Sequence, residues 1–158
     1  MKPRVYIETT IPSFYYETRP EPEMVARRNW TRAWWETKRE DYERVTSGPV
    51  FEELSAAVPY KGTGILELLR EVDVLPRTPE VTALAQHYID QKVMPRGLYG
   101  DAMHLALASW YECHFLLTWN CTHLANPMLQ KHLIEYCRYH SLHVPVVCTP
   151  ELLITPQS

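Results

Sequence analysis

Nowhere in the chain does an uninterrupted apolar run reach the length that a membrane span needs. The first residues, Met1-Lys2-Pro3-Arg4, lead into only a few apolar positions before Glu8, too few for the core of a signal peptide. A cytoplasmic location is therefore the expectation. No CxxC pair occurs among the four cysteines, Cys113, Cys121, Cys137 and Cys148, and reduced thiols are expected rather than disulfides. An excess of positive charge is also lacking. The formal net charge of −3 argues against electrostatic coating of nucleic acid, although it leaves room for a local basic patch. There is no internal repeat and no domain-splitting linker, and the 13 prolines scatter at element boundaries instead of forming a tract. What is present is 158 residues, enough for one domain with a real core. Its 46% hydrophobic and 22% charged residues match those of a globular protein.

Five short apolar segments read as buried strands: 4–8, 72–75, 115–118, 144–147 and part of 46–51. Between them, helical patterns run over 11–16, 21–45, 50–58, 64–70, 79–92, 101–111 and 127–140. This alternation predicts an α/β layer fold with a mostly parallel sheet. In such sheets ligands collect beyond the carboxyl ends of the strands, where the strand order reverses. Polar residues just after a strand, or opening the next helix, are thus the candidates for function.

The segment 21–45 is dense in both charge signs, with seven arginines and lysines from Arg19 to Arg44 and a cluster of Trp30, Trp34 and Trp35. A basic-aromatic arm gripping nucleic acid is one reading. Opposite charges interleave throughout, however. That favours a long surface helix whose Trp face packs on the core or a partner, with pairs such as Glu40–Arg44 on its outer side.

Three polar residues fall at the expected edge. Glu8 directly follows the first strand, Asp101 opens the apolar helix "GDAMHLALASWY", and Asn120 ends "FLLTWN". Alone, Asp101 in a first turn is explained by capping and the helix dipole, worth about 0.3–1 kcal/mol. A fourth candidate lies in "PVFEELS". With Val50, Phe51, Leu54 and Val58 as the buried stripe, Glu52 points away to solvent, while Glu53 lies on the flank beside a crevice. Three carboxylates and an amide supply the oxygen donors that Mg²⁺ or Mn²⁺ takes. Without a cation, such a gathering is repulsive and raises at least one pKa. The pattern suits metal-assisted phosphoryl chemistry.

"VYIETTIPSFY", "PVFEELS", "GDAMHLALAS" and "FLLTWNCTHLAN" together resemble the PIN-domain family, including the toxin nucleases of VapC-type toxin–antitoxin pairs. The resemblance spans roughly 4–147, in the family's order. It implies a three-layer α/β/α sandwich with a central, mostly parallel sheet. It also implies Mg²⁺- or Mn²⁺-dependent endonucleolytic cleavage of RNA by a water nucleophile, leaving a 5′-phosphate and a 3′-hydroxyl. The implied metal-binding and catalytic positions are Glu8, Glu53, Asp101 and Asn120. Thr9 and Thr118 match the hydroxyl residues that accompany the first and last of them. An antitoxin protein and a homodimer are the implied partners beside RNA. Two positions depart from the family. Glu8 stands where Asp is usual and is one methylene longer. Asn120 stands where Asp is common, keeping an oxygen but losing a charge, which disfavours a second metal.

Other chemistries are weaker. Six of the seven histidines lie from His104 to His143, among three of the four cysteines, and Cys121-x-His123 and Cys113-His114 offer zinc half-sites. Structural zinc uses wider pairings, and His140-x₂-His143 falls just short of one. His104 shares a helix face with Asp101, so it either orients Asp101, touches substrate, or is a hydrogen-bonded core histidine. "YKGTGILELL" lacks the Gly-Lys-Ser/Thr order of a phosphate loop and reads as a turn before a helix. The alternative function is a catalytically weakened PIN-fold module that binds RNA or a protein partner without cleavage.

Overall fold

The computed structural model describes residues 1–57 and 62–154. Its strands are β1 (Arg4–Ile7), β2 (Glu43–Ser47), β3 (Asp73–Leu75), β4 (Phe115–Leu117) and β5 (Val146–Cys148). Its helices are α1 (Thr10–Tyr15), α2 (Pro22–Lys38), α3 (Gly48–Ala57), α4 (Gly62–Leu68), α5 (Pro79–Asp90), α6 (Tyr99–Trp110) and α7 (Pro127–Tyr139). The strands form one sheet in the order β3-β2-β1-β4-β5, and every neighbouring pair is parallel.

Val5, Tyr6 and Ile7 are consecutive in β1 and each is 0% exposed. Successive strand residues point to opposite faces, so both faces of the sheet are covered, as in a three-layer α/β/α sandwich. Leu116 and Leu117 of β4 continue this core. α5 and α7 begin at the caps their sequences offer. Thr78 accepts a hydrogen bond from the Val81 N–H with Pro79 at the first turn of α5, and Asn126 accepts from the Met128 and Leu129 N–H groups with Pro127 opening α7. The chain builds outward from β1 to β2 and β3 on one side and to β4 and β5 on the other. The order therefore reverses between β1 and β4, and the crevice belongs at the carboxyl ends of those two strands.

The segment 21–45 departs from expectation. The helix stops at Lys38, residues Arg39–Asp41 form a 3-10 turn, and 43–47 is a strand. The strand expected within 46–51 thus lies several residues earlier, and α3 begins at Gly48. The reason is physical: Glu43 and Arg44 sit at the exposed start of β2, where polarity is tolerated and imitates a helix surface. Glu40 pairs with Arg39 rather than Arg44, whose guanidinium lies over the Trp35 ring. Trp34 and Trp35 are buried, edge to face, and Trp34 also packs on Tyr42, while Trp30 is half exposed. Two of the three rings that a nucleic-acid-gripping arm would use are therefore core residues. Val58, Pro59, Tyr60 and Lys61, where part of the "YKGTGILELL" reading falls, lie outside the described residues. No helix among the described residues is long and apolar enough to cross a membrane.

Candidate metal centre

Glu8 follows β1 and is buried. Its Oε1 accepts from the Thr10 N–H at 2.9 Å, from the Thr10 hydroxyl, and from the Thr118 hydroxyl at 2.7 Å. All three donors converge on one oxygen, so Oε2 remains for a ligand. The two threonines are themselves held. Thr10 Oγ1 accepts from the Trp119 N–H, and Thr118 Oγ1 accepts from the Asn120 N–H. Burial raises the Glu8 pKa against the opposing pull of His104 and these hydrogen bonds.

Glu53 reaches the same place from α3. Its Oε2 accepts from the Thr9 hydroxyl at 2.8 Å, and its two oxygens lie 2.6 and 3.0 Å from His104 Nε2. Burial pushes the Glu53 carboxyl up, but the His104 bond and charge together with Thr9 outweigh it and leave the pKa lowered. Gly100 lies alongside: a Cβ there would stand 3.8 Å from Glu53 Oε1. Glu52 is exposed and paired with Arg77.

His104 is 1% exposed. Its hydrogen-bond partner is Glu53 rather than Asp101, its neighbour on the same helix face. The other ring nitrogen, Nδ1, lies 2.7 Å from the Tyr6 hydroxyl, which lies 2.6 Å from Ser47 Oγ. Burial lowers the His104 pKa, yet the hydrogen bond to Glu53 and the charges of Glu8, Glu53 and Asp101 reverse this and raise it. Burial keeps the Tyr6 phenol well above its ordinary range, so it stays protonated.

Asp101 stands in the first turn of α6, but the residue at the cap is Leu98 and no side chain caps the helix. Asp101 instead accepts from Asn120 Nδ2 at 3.3 Å, and burial raises its pKa. The Asn120 Oδ1 accepts from the His123 N–H at 3.0 Å, which fixes the amide with its NH₂ toward Asp101. Ligand atoms of Glu8, Glu53 and His104 lie within 4.8 Å of one another, the one such histidine, cysteine and carboxylate group among the described residues. The four cysteines are free thiols, and none joins a metal-binding group among the described residues.

Sequence reasoning missed Tyr6, Ser47 and Thr10 as parts of this network. Tyr6 carried a signal, a hydroxyl inside an otherwise apolar strand. Ser47 carried none, because β2 was misplaced.

In metal-free protein the His104–Glu53 pair carries a pH signature. With His104 raised, its contribution to stability is full below the unfolded histidine pKa of about 6.5 and is lost as pH rises through the folded value. With Glu53 lowered, its contribution is lost only as pH falls through that lowered value. Thermal melts across pH should therefore show an alkaline decline that His104→Gln flattens. A wild-type decline unchanged in that variant would assign it to other groups.

No family model and no curated protein matches the chain. Among solved structures, it is similar to a chain in the crystal structure of VapBC2 from Rickettsia felis bound to a DNA fragment from their promoter. The TM-score is 0.53 at 13% identity, covering 92% of this chain and 97% of that one. The likeness is one of fold: a three-layer α/β architecture around a parallel sheet.

Proposed function

We propose that the chain is a Mg²⁺- or Mn²⁺-dependent endoribonuclease, the toxin of a type II toxin–antitoxin pair. The observation that carries the proposal is the convergence of Glu8, Glu53 and His104, with Asp101 beside them, at the carboxyl ends of the central strands. The fold likeness to a VapBC2 chain and the sequence resemblance to VapC-type PIN nucleases support the same reading.

The donors fit a hard divalent cation. Carboxylates from separate elements, Glu8 after β1 and Glu53 on α3, come together with ligand atoms within 4.8 Å, and one Glu8 oxygen lies outside the bonds to Thr10 and Thr118. Glu8 and Glu53 would hold the ion, with Asp101 and its partner Asn120 beside it and Thr9, Thr118 and His104 fixing the two carboxylates. When bound, such a cation neutralises charge on a phosphate and makes water a better nucleophile near neutral pH. The protein's own residues do the rest. Thr10 and Thr118 keep Glu8 from turning away, and Thr9 and His104 fix Glu53. Asn120 engages Asp101 Oδ1, so Oδ2 is the atom that takes the proton of the attacking water. RNA, a small antitoxin and a second copy of the chain are the partners this reading implies.

One observation favours the non-cleaving alternative. The Asn120 oxygen is engaged by a backbone N–H, so this position brings neither a charge nor a wholly free acceptor. The test is cleavage of single-stranded RNA with added Mg²⁺ or Mn²⁺. Wild type should cut and be stopped by chelation, and Asp101→Ala should lose about 10²–10⁴-fold in rate. Absence of metal binding, with Asp101→Ala behaving as wild type, would leave the binding module standing.

A further inference from the structure

We propose that His104 is itself a ligand. The cation is held by Glu8, Glu53 and His104 Nε2, a mixed oxygen and nitrogen set that prefers Mn²⁺ to Mg²⁺. The inference rests on the metal-dependent reading above and changes the donor set that the sequence implies.

The expected all-oxygen set divides into two groups. Glu8, Glu53 and His104 share one point, whereas Asp101 pairs with Asn120, whose oxygen faces the His123 N–H. Nothing in the sequence announces His104 as a ligand, because a lone histidine in an apolar helix is ordinarily core. Its surroundings say otherwise. One ring nitrogen is tied to the Tyr6 hydroxyl, which is 0% exposed and anchored by Ser47. The other nitrogen faces carboxylate oxygens from two different elements. An imidazole with one nitrogen moored to a buried hydroxyl and the other presented to carboxylates is the arrangement that outer-shell groups impose on a metal-binding histidine.

The spacing agrees. His104 Nε2 lies 2.6 and 3.0 Å from the two oxygens of Glu53. Ligand atoms at right angles around an octahedral cation with bonds of about 2.1 Å stand about 3 Å apart. An ion could therefore take its place among these atoms with little movement. A nitrogen donor then tilts selectivity. Mg²⁺ takes oxygen almost exclusively, while first-row divalent ions accept imidazole readily.

The experiment uses the 158-residue chain loaded with Mn²⁺. Pulsed electron paramagnetic resonance should detect coupling to one directly bound imidazole nitrogen, shifted to the ¹⁵N pattern in protein grown on ¹⁵N-histidine. Competition titration should show tighter binding of Mn²⁺ than Mg²⁺. His104→Gln should erase the nitrogen coupling and narrow the Mn²⁺ preference by about 10-fold or more. Tyr6→Phe, which keeps the ring, should weaken Mn²⁺ binding about 10-fold or more by loosening the imidazole. Mn²⁺ bound without histidine coupling, or an equal preference in wild type and His104→Gln, overturns the ligand assignment and leaves the metal-dependent reading intact. Failure of wild type to bind Mn²⁺ at all overturns both.

Discussion

Glu8→Gln is expected to abolish cation-induced stabilisation and to reduce RNA cleavage by about 10²–10⁴-fold, the several kcal/mol that metal stabilisation of a phosphoryl transition state supplies. The same change should make the metal-free protein more stable. Glu8 is buried, and its pKa is raised chiefly by that burial. The unfolded chain releases the Glu8 proton first. Wild-type stability therefore falls as pH rises from the unfolded glutamate value through the higher folded one. Glutamine has no such charge, and its oxygen can still accept from Thr10 and Thr118. The melting temperature of Glu8→Gln should exceed that of wild type by a margin that grows with pH across that window and vanishes below it. Adding Mn²⁺ should reverse the order, raising wild type only, because binding to the native state alone stabilises by mass action. A variant that keeps the Mn²⁺ shift would remove Glu8 from the site. Glu8→Asp is the companion. The shorter arm cannot keep its contacts to both threonines and reach the same point, so cation affinity should fall although the charge is retained.

How much of this was legible in the sequence follows from where side-chain chemistry meets periodicity. Glu8, Asp101 and Asn120 stood out because each is polar at the edge of an apolar element; Glu8 and Asn120 follow the neighbouring strands β1 and β4, and Asn120 reaches Asp101. Helical phase separated Glu53, which meets Thr9 and His104, from Glu52, which meets Arg77. Phase failed at β2. Glu43 and Arg44 extend a charged helical pattern without interruption, and only pairing with β1 makes them a strand. Pairing is a long-range contact that local pattern does not encode. The same limit hid the Tyr6–Ser47–His104 connection. It joins β1, β2 and α6 across 41 and 98 residues of chain, and each member alone looks like core.

Trp119→Ala is the substitution expected to damage fold and site together. The residue lies between Thr118, which bonds Glu8, and Asn120, which bonds Asp101. Its ring is 6% exposed, its indole N–H donates to Thr31 of α2 at 2.7 Å, and Arg27 of α2 lies over it while donating to its carbonyl. Trp119 thus rivets α2 to the loop that carries half the polar site. Truncation should lower unfolding stability by about 3–5 kcal/mol, a large part of what a domain this size has. It should also weaken Mn²⁺ binding, because the Trp119 N–H no longer has a fixed position from which to hold Thr10. Trp34→Ala supplies the contrast. Trp34 is equally buried, but its ring contacts are Trp35 and Tyr42, with no hydrogen bond to a site residue. It should lose a similar amount of stability by denaturant titration, yet bind Mn²⁺ normally at temperatures where it is folded. Trp119→Phe is the milder change: it keeps an aromatic ring but loses the bond to Thr31 and part of the ring volume, and the expected loss is about 1–3 kcal/mol. Equal Mn²⁺ affinities in Trp119→Ala and Trp34→Ala would mean that the loop holds its geometry without α2, and the helix would then belong to stability alone.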